Sequence, residues 1–183
     1  MHVLTSPWIT ITLAYWLAGH LALGLAIPPG YTAPFFPSAG IALAALIICG
    51  LRYWPAVLAG SALVQLAAAW PLIGTPDWSP LGPMLVPVGA TLQAVAGALL
   101  ARRLIGFPNA LDTPGSVVRL LAIVVPVSAL VSCTIGVSAL VWAGVIPPAS
   151  ALFNAWSWWA GDTLGALVAT PLMFAFFGRP ASE

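Results

Sequence analysis

Among the few polar side chains of this sequence, Asp162, His20, Gln65 and Gln93 are the ones best placed to do chemistry. Each falls well inside a long apolar run, and the four runs are different ones. A carboxyl group in mid-membrane costs at least about 2.5–3.5 kcal/mol, so it has to face a partner or a wet cavity. Four polar groups at similar depth on four helices can line a pocket for a small ligand. His20 and Asp162 would form a pair able to sense protons or bind a polar molecule. The plainer alternative is interhelical hydrogen bonding that fixes packing, worth about 0.6 kcal/mol per pair. That plainer reading is favoured for Gln65 and Gln93 taken singly, and the functional one for Asp162.

Trp156, Trp158 and Trp159 precede Gly161-Asp162. On a helix Trp158 and Asp162 share a face, as do Gly161 and Gly165. Small residues four apart let helices approach closely, so the glycines are read as packing positions. The tryptophans fit an outer-leaflet girdle better than a ligand cage, with Trp158 and Trp159 kept as pocket candidates beside Asp162. HExxH, Walker and serine–histidine constellations do not occur, so the chain is read as non-enzymatic. His20 and Asp162 are too few to hold a metal, and no cofactor is expected.

The elements that must position these groups are set by composition. Of 183 residues, 61% are hydrophobic and 5% charged, against roughly a quarter charged in an average soluble domain. So little polar material cannot cover a water-facing surface, which makes the chain an all-α, polytopic transmembrane bundle. The length suits about six helices of roughly 20 residues and leaves no room for a soluble catalytic domain. Residues 1–183 are read as one membrane domain. The absence of lysine and a net charge of +1 argue against a nucleic-acid surface or a polybasic lipid-binding tail. Cys49 and Cys133 lie in apolar runs and are expected to be buried. The first run lacks a basic leader and a defined cleavage site, so it is expected to be retained.

Breakers divide the chain into spans at about Trp8–Ile27, Pro37–Gly50, Pro55–Ile73, Met84–Leu104, Val117–Val145 and Ala151–Phe177. The second is short, so it either crosses with help from its flanks or lies partly re-entrant. Pro126 is placed to kink the fifth. The loop aromatics Tyr31, Phe35 and Phe36 suit the membrane interface. With six spans, all five arginines (Arg52, Arg102, Arg103, Arg119 and Arg179) fall on one side and none on the other. By the positive-inside rule that side, and with it both termini, is cytoplasmic, and Asp77 lies outside.

The segment Phe36-Pro37-Ser38-Ala39-Gly40-Ile41-Ala42-Leu43-Ala44-Ala45, followed by Gly50-Leu51-Arg52-Tyr53-Trp54-Pro55 and Gly60, resembles the opening signature of MASE1. This is a bacterial membrane-associated sensor domain found ahead of signalling modules. Trp158-Trp159-Ala160-Gly161-Asp162-Thr163-Leu164-Gly165, with Pro171, is similar to that family's tryptophan–aspartate–glycine segment. Phe36 departs from the tryptophan that often precedes the proline. The resemblance marks Pro37, Gly40, Arg52, Trp54, Pro55, Gly60, Asp162, Gly165 and Pro171, and is to the N-terminal part of such a domain.

The resemblance implies an input domain of the bacterial inner membrane that senses a ligand, a physical cue or a partner. The signal would pass to a cytoplasmic output module of the diguanylate cyclase or histidine kinase type. That places the chain in cyclic di-GMP or two-component signalling. The output module would sit on the same or another polypeptide, since the sequence read here stops at Glu183. The expected partners are lipid, that output module, a small-molecule ligand and a second copy of the chain. The alternative is a substrate-binding membrane subunit of a small-molecule transporter, of the vitamin-carrier kind.

Overall fold

The computed structural model describes residues 6–26, 32–70, 73, 80–106, 111 and 113–178. Pro28, Pro29, Gly30, Tyr31, Asp77, Asn109, Asp112 and Arg179 lie outside them. The described secondary structure is helical: α1 (Pro7–Leu23), α2 (Pro37–Ile48), α3 (Trp54–Ala69), α4 (Leu81–Leu104), α5 (Pro114–Arg119), α6 (Val125–Trp142) and α7 (Ala151–Phe177). α5 runs into α6 through a π-helical segment, Leu120–Val124. Prolines open α1, α2, α3 and α5 within the first two helical positions, where a missing N–H costs nothing. Helix starts therefore follow the expected breakers, and ends shift by a few residues.

Among the described residues, three helical stretches are long and apolar enough to cross a membrane: Met84–Leu104, Pro114–Trp142 and Pro148–Phe177. The outer surface carries large apolar side chains such as Leu13, Leu17, Leu21, Leu92, Val168 and Leu172. Those are the side chains lipid accepts and water does not.

Pro126, expected to kink the helix, is accommodated by a widened turn ahead of it. In a regular α-helix its ring would press on the carbonyl four residues earlier. Here the preceding turn is π-helical, and the Val125 N–H bonds the Leu120 carbonyl five residues back. The tight turn Leu51–Tyr53 starts at Gly50, whose φ of 107° suits glycine alone.

Close contacts fix the direction of each helix. Thr12 lies against Ala56, and Gly19 against Val64, so α1 and α3 run parallel. Phe36 lies against Gly165, and Gly40 against Thr170, so α2 and α7 also run parallel. Gly89 meets Ile135 and Gly97 meets Ser128, which makes α4 and α6 antiparallel. Ser132 of α6 bonds Asp162 of α7. Trp158 in turn lies over Gly136. α6 therefore runs against α7. The passes alternate, and the C-terminal ends of α2, α4 and α7 share one end of the bundle with the starts of α3 and α5. Arg52, Arg102, Arg103 and Arg119 all sit at that end. The Arg119 guanidinium donates to the Leu104 carbonyl at 3.0 Å.

α2 is the centre. Nine of its 12 residues are buried, and it packs on α7, α4 and α1. At about 18 Å it is shorter than a hydrocarbon core of about 30 Å. Ahead of it, the non-helical chain at residues 32–36 is laid along α7. The Phe36 N–H donates to the Gly161 carbonyl at 3.0 Å. Irregular backbone at such depth is tolerated where protein covers it. Gly161 and Gly165 allow the approach: a Cβ at either would collide with the backbone of Ala33 or Phe36. Gly40 sits against α7, where a Cβ would lie 2.8 Å from Ala166 Cα. At Gly60 it would lie 2.8 Å from the Thr12 carbonyl on α1.

Two expectations are corrected. Cys133 is buried, but Cys49 is exposed, because it caps the C-terminal end of α2 and has left the packed core. Phe36 does not stand at an outer interface: it turns inward, edge-on to Tyr15 with ring centroids 6.3 Å apart.

Candidate functional site

Because α2 fills only one half of the central column, the other half is left open, on the side away from the arginines. A cavity of about 50 Å³ lies there. Its walls are Tyr15 and Leu23 of α1, Thr32, Ala33 and Phe36 before α2, and Ala39 of α2. Ser61 and Gln65 of α3, Val86, Ala90 and Gln93 of α4, Ser132 of α6, and Trp158 and Asp162 of α7 complete them. Every long helix contributes. A change in any one of them alters the shape of the cavity.

Asp162 is its most distinctive group, 4% exposed near the middle of α7. The Ser132 hydroxyl donates to its carboxylate at 2.9 Å, and the Trp158 and Gln93 side chains are its other hydrogen-bond partners. Trp158 is one turn earlier on the same helix, so the two side chains share a face. Gly136 on α6 leaves the space that the Trp158 ring occupies: a Cβ there would come 2.8 Å from the ring's Cζ2. Three helices thus converge on one carboxyl group.

The structure brings Asp162, Gln93, Gln65 and Trp158 to one cavity, and leaves His20 and Trp159 outside it. His20 is exposed and stacks on Trp16 at 6.0 Å. The buried face of α1 is Ile11, Tyr15, Gly19 and Ala22, at helical spacing, and position 20 points about 100° away from Gly19. The expected His20–Asp162 pair is therefore not formed. Trp159 instead donates its indole N–H to the Pro126 carbonyl at 2.8 Å, tying α7 to the start of α6. Trp156 lies outside and 65% exposed, with its ring 5.0 Å from that of Trp159.

Four polar residues of the site escaped the sequence reading, and Thr32, just before α2, is one of them. Tyr15 is 1% exposed and hydrogen-bonds Ser61. Ser132 holds Asp162. Ser61 was legible as the residue one turn before Gln65 on α3, and Ser132 as part of the small-residue row Ser128-Ser132-Gly136 on α6. Tyr15 offered only its position in the series 11, 15, 19, 22.

The residues marked by family resemblance are mostly structural. Pro37 opens α2, and Gly40, Gly60 and Gly165 permit the contacts described above. The Thr170 hydroxyl also donates to the Gly40 carbonyl at 3.2 Å. Arg52 is exposed, donates to the Tyr53 hydroxyl at 3.1 Å and lies 4.9 Å over its ring. Trp54 and Pro55 start α3, and Pro171 lies inside α7.

The MASE1 family model matches residues 8–182, nearly the whole chain. The chain belongs to the MASE1 family. MASE1 is a family of membrane-associated sensory domains, so this is a membrane protein whose fold serves sensing. No curated protein and no solved structure matches it. Set beside the geometry, the family's two motifs meet in space. The proline–glycine motif shapes the backbone before and within α2, and the tryptophan–aspartate–glycine motif supplies the surface of α7 on which that backbone rests. This MASE1 chain thus joins its two signatures at the wall of the cavity.

Proposed function

We propose that this MASE1 domain is a six-span input module of the bacterial inner membrane, in which a small ligand in the Asp162 cavity biases the packing of α2 on α7. The observation that supports it most is a buried acid on the long helix α7, at a cavity to which every long helix contributes. A ligand shifts such an equilibrium only if it binds one packing better than the other. The non-helical strand at 32–36 would be the element that yields. It lies between the cavity and the Gly161–Gly165 surface, so ligand pressure on Phe36 is pressure on α7. The arginine-bearing end of α7 would then pass the change to a cytoplasmic output module, on the same or another chain, of the cyclase or kinase type. A second copy of the domain is a natural partner in such a relay.

Filling the cavity should mimic or block the ligand. With Cys49 and Cys133 replaced by alanine, spin labels at Val118 and Phe177, both exposed, report the separation of α5 and α7 at the arginine-bearing end. Ala90→Leu is expected to displace that distance distribution in lipid nanodiscs, and Val88→Leu, on the exposed side of α4, to leave it in place. Identical distributions for native and Ala90→Leu proteins would refute the relay.

Orientation is a separate matter. Arginines resist translocation, so both termini and position 103 are expected on the cytoplasmic side. A cysteine at 103 in a cysteine-free background should label only after the cells are opened. Labelling by an impermeant reagent in intact cells would overturn the six-span arrangement.

A further inference from the structure

The Asp162 cavity carries information about the chemistry of what it holds. An ionised carboxylate offers about four acceptor directions. The Ser132, Trp158 and Gln93 side chains account for three, leaving room for one more donor. Among the described residues no arginine or histidine lines the cavity, and Asp162 is the only acid that does. A carboxylate buried without a partner cation is costly. The remaining walls are the aromatic rings of Tyr15, Phe36 and Trp158, with aliphatic carbon from Leu23, Val86 and Ala90. Aromatic faces attract cations and do so more strongly when water is excluded. Gln65, half-buried on the wall, adds an amide carbonyl able to accept from a second N–H.

Size narrows the choice. A water molecule needs roughly 10–15 Å³ of such space, so a cavity of about 50 Å³ accepts a group of about four non-hydrogen atoms. A phosphate or carboxylate ligand would meet Asp162 with no compensating cation on the wall.

We infer that the cavity binds a small primary ammonium ion, its N–H groups on the Asp162 carboxylate and the Gln65 carbonyl and its short alkyl part against Phe36, Val86 and Ala90. The ion enters from the end of the bundle away from the arginines, the half that α2 leaves open. This rests on the ligand-pocket reading proposed above and names its ligand class.

The test uses the full chain in nanodiscs, titrated with n-propylammonium chloride, n-propanol and potassium chloride, by calorimetry and by the thermal unfolding midpoint. Propylammonium is expected to bind saturably and raise the midpoint, while propanol and potassium chloride do neither. Asp162→Asn should weaken propylammonium binding at least tenfold, and Gln65→Leu should weaken it severalfold with an unchanged midpoint in the absence of ligand. Equal binding of propanol would make the ligand a neutral hydrogen-bonding molecule and overturn the ammonium assignment. Saturable potassium binding would do the same in favour of an inorganic ion, and no saturable propylammonium binding would refute it outright. These outcomes are independent of the relay, because the Ala90→Leu distance measurement needs no ligand. A shifted distance without ammonium binding leaves the sensor standing, and ammonium binding without a shift leaves a binder that is not a relay.

Discussion

Gly165→Ala is expected to be the most damaging single-methyl change in this protein. A Cβ at position 165 runs into the Phe36 carbonyl group, and its nearest contacts are backbone atoms. Overpacking a core with extra carbon costs about 1–3 kcal/mol when side chains can move aside. Here the obstacle is the backbone at residues 32–36, which is itself pinned by the Phe36 N–H bond to Gly161. The loss should therefore lie at or beyond the upper end of that range, a fall of roughly 6–12 °C in the unfolding midpoint. Gly115→Ala is the matched control, because a Cβ at 115 meets nothing within 4 Å. It should hold or slightly raise stability, since alanine is the better helix former. Equal midpoints for the two variants would show that residues 32–36 are not seated on α7 as described.

Asp162 should separate structure from function most sharply. Asp162→Leu keeps approximate size but removes every acceptor, leaving Ser132, Trp158 and Gln93 without their common partner. Each buried polar group so orphaned costs about 1–3 kcal/mol, so a combined loss of about 3 kcal/mol or more is expected. Asp162→Asn keeps the shape and one acceptor oxygen and should stay within about 1 kcal/mol of native. If the carboxylate is functional, the Asn protein should nevertheless lose the small molecules retained on purification, as read by mass spectrometry. An Asn variant with native stability and a native retained set would confine Asp162 to a packing role. A Leu variant as stable as native would contradict the hydrogen-bond network itself.

The chain's sequence by itself determined its membrane class, because composition is a bulk property that no folding choice can alter. It also determined where most helices start. Prolines at 7, 37, 55 and 114 act through their own φ angle and missing N–H, without help from distant residues. The clustering of Arg52, Arg102, Arg103 and Arg119 at one end followed from spacing alone, and the alternating helix directions agree with it.

Rotation of each helix about its own axis was decided only by tertiary structure. In a soluble protein the apolar stripe tells which face turns inward. In lipid both faces are apolar, so α1 gives no such signal, and His20 was expected in the cavity where Tyr15 in fact stands. Contact between Gly60 of α3 and Tyr15 of α1 settles it, by bringing the Tyr15 face inward. The seat of the non-helical segment before α2 was likewise hidden. Residues 32–36 carry no local instruction to lie along α7; they do so because Gly161 and Gly165, some 130 positions away in the chain, leave backbone-sized space for them. Asp162 was legible as an isolated charge in an apolar run and Ser132 as a member of a small-residue row, whereas their pairing was decided only by α6 and α7 lying side by side.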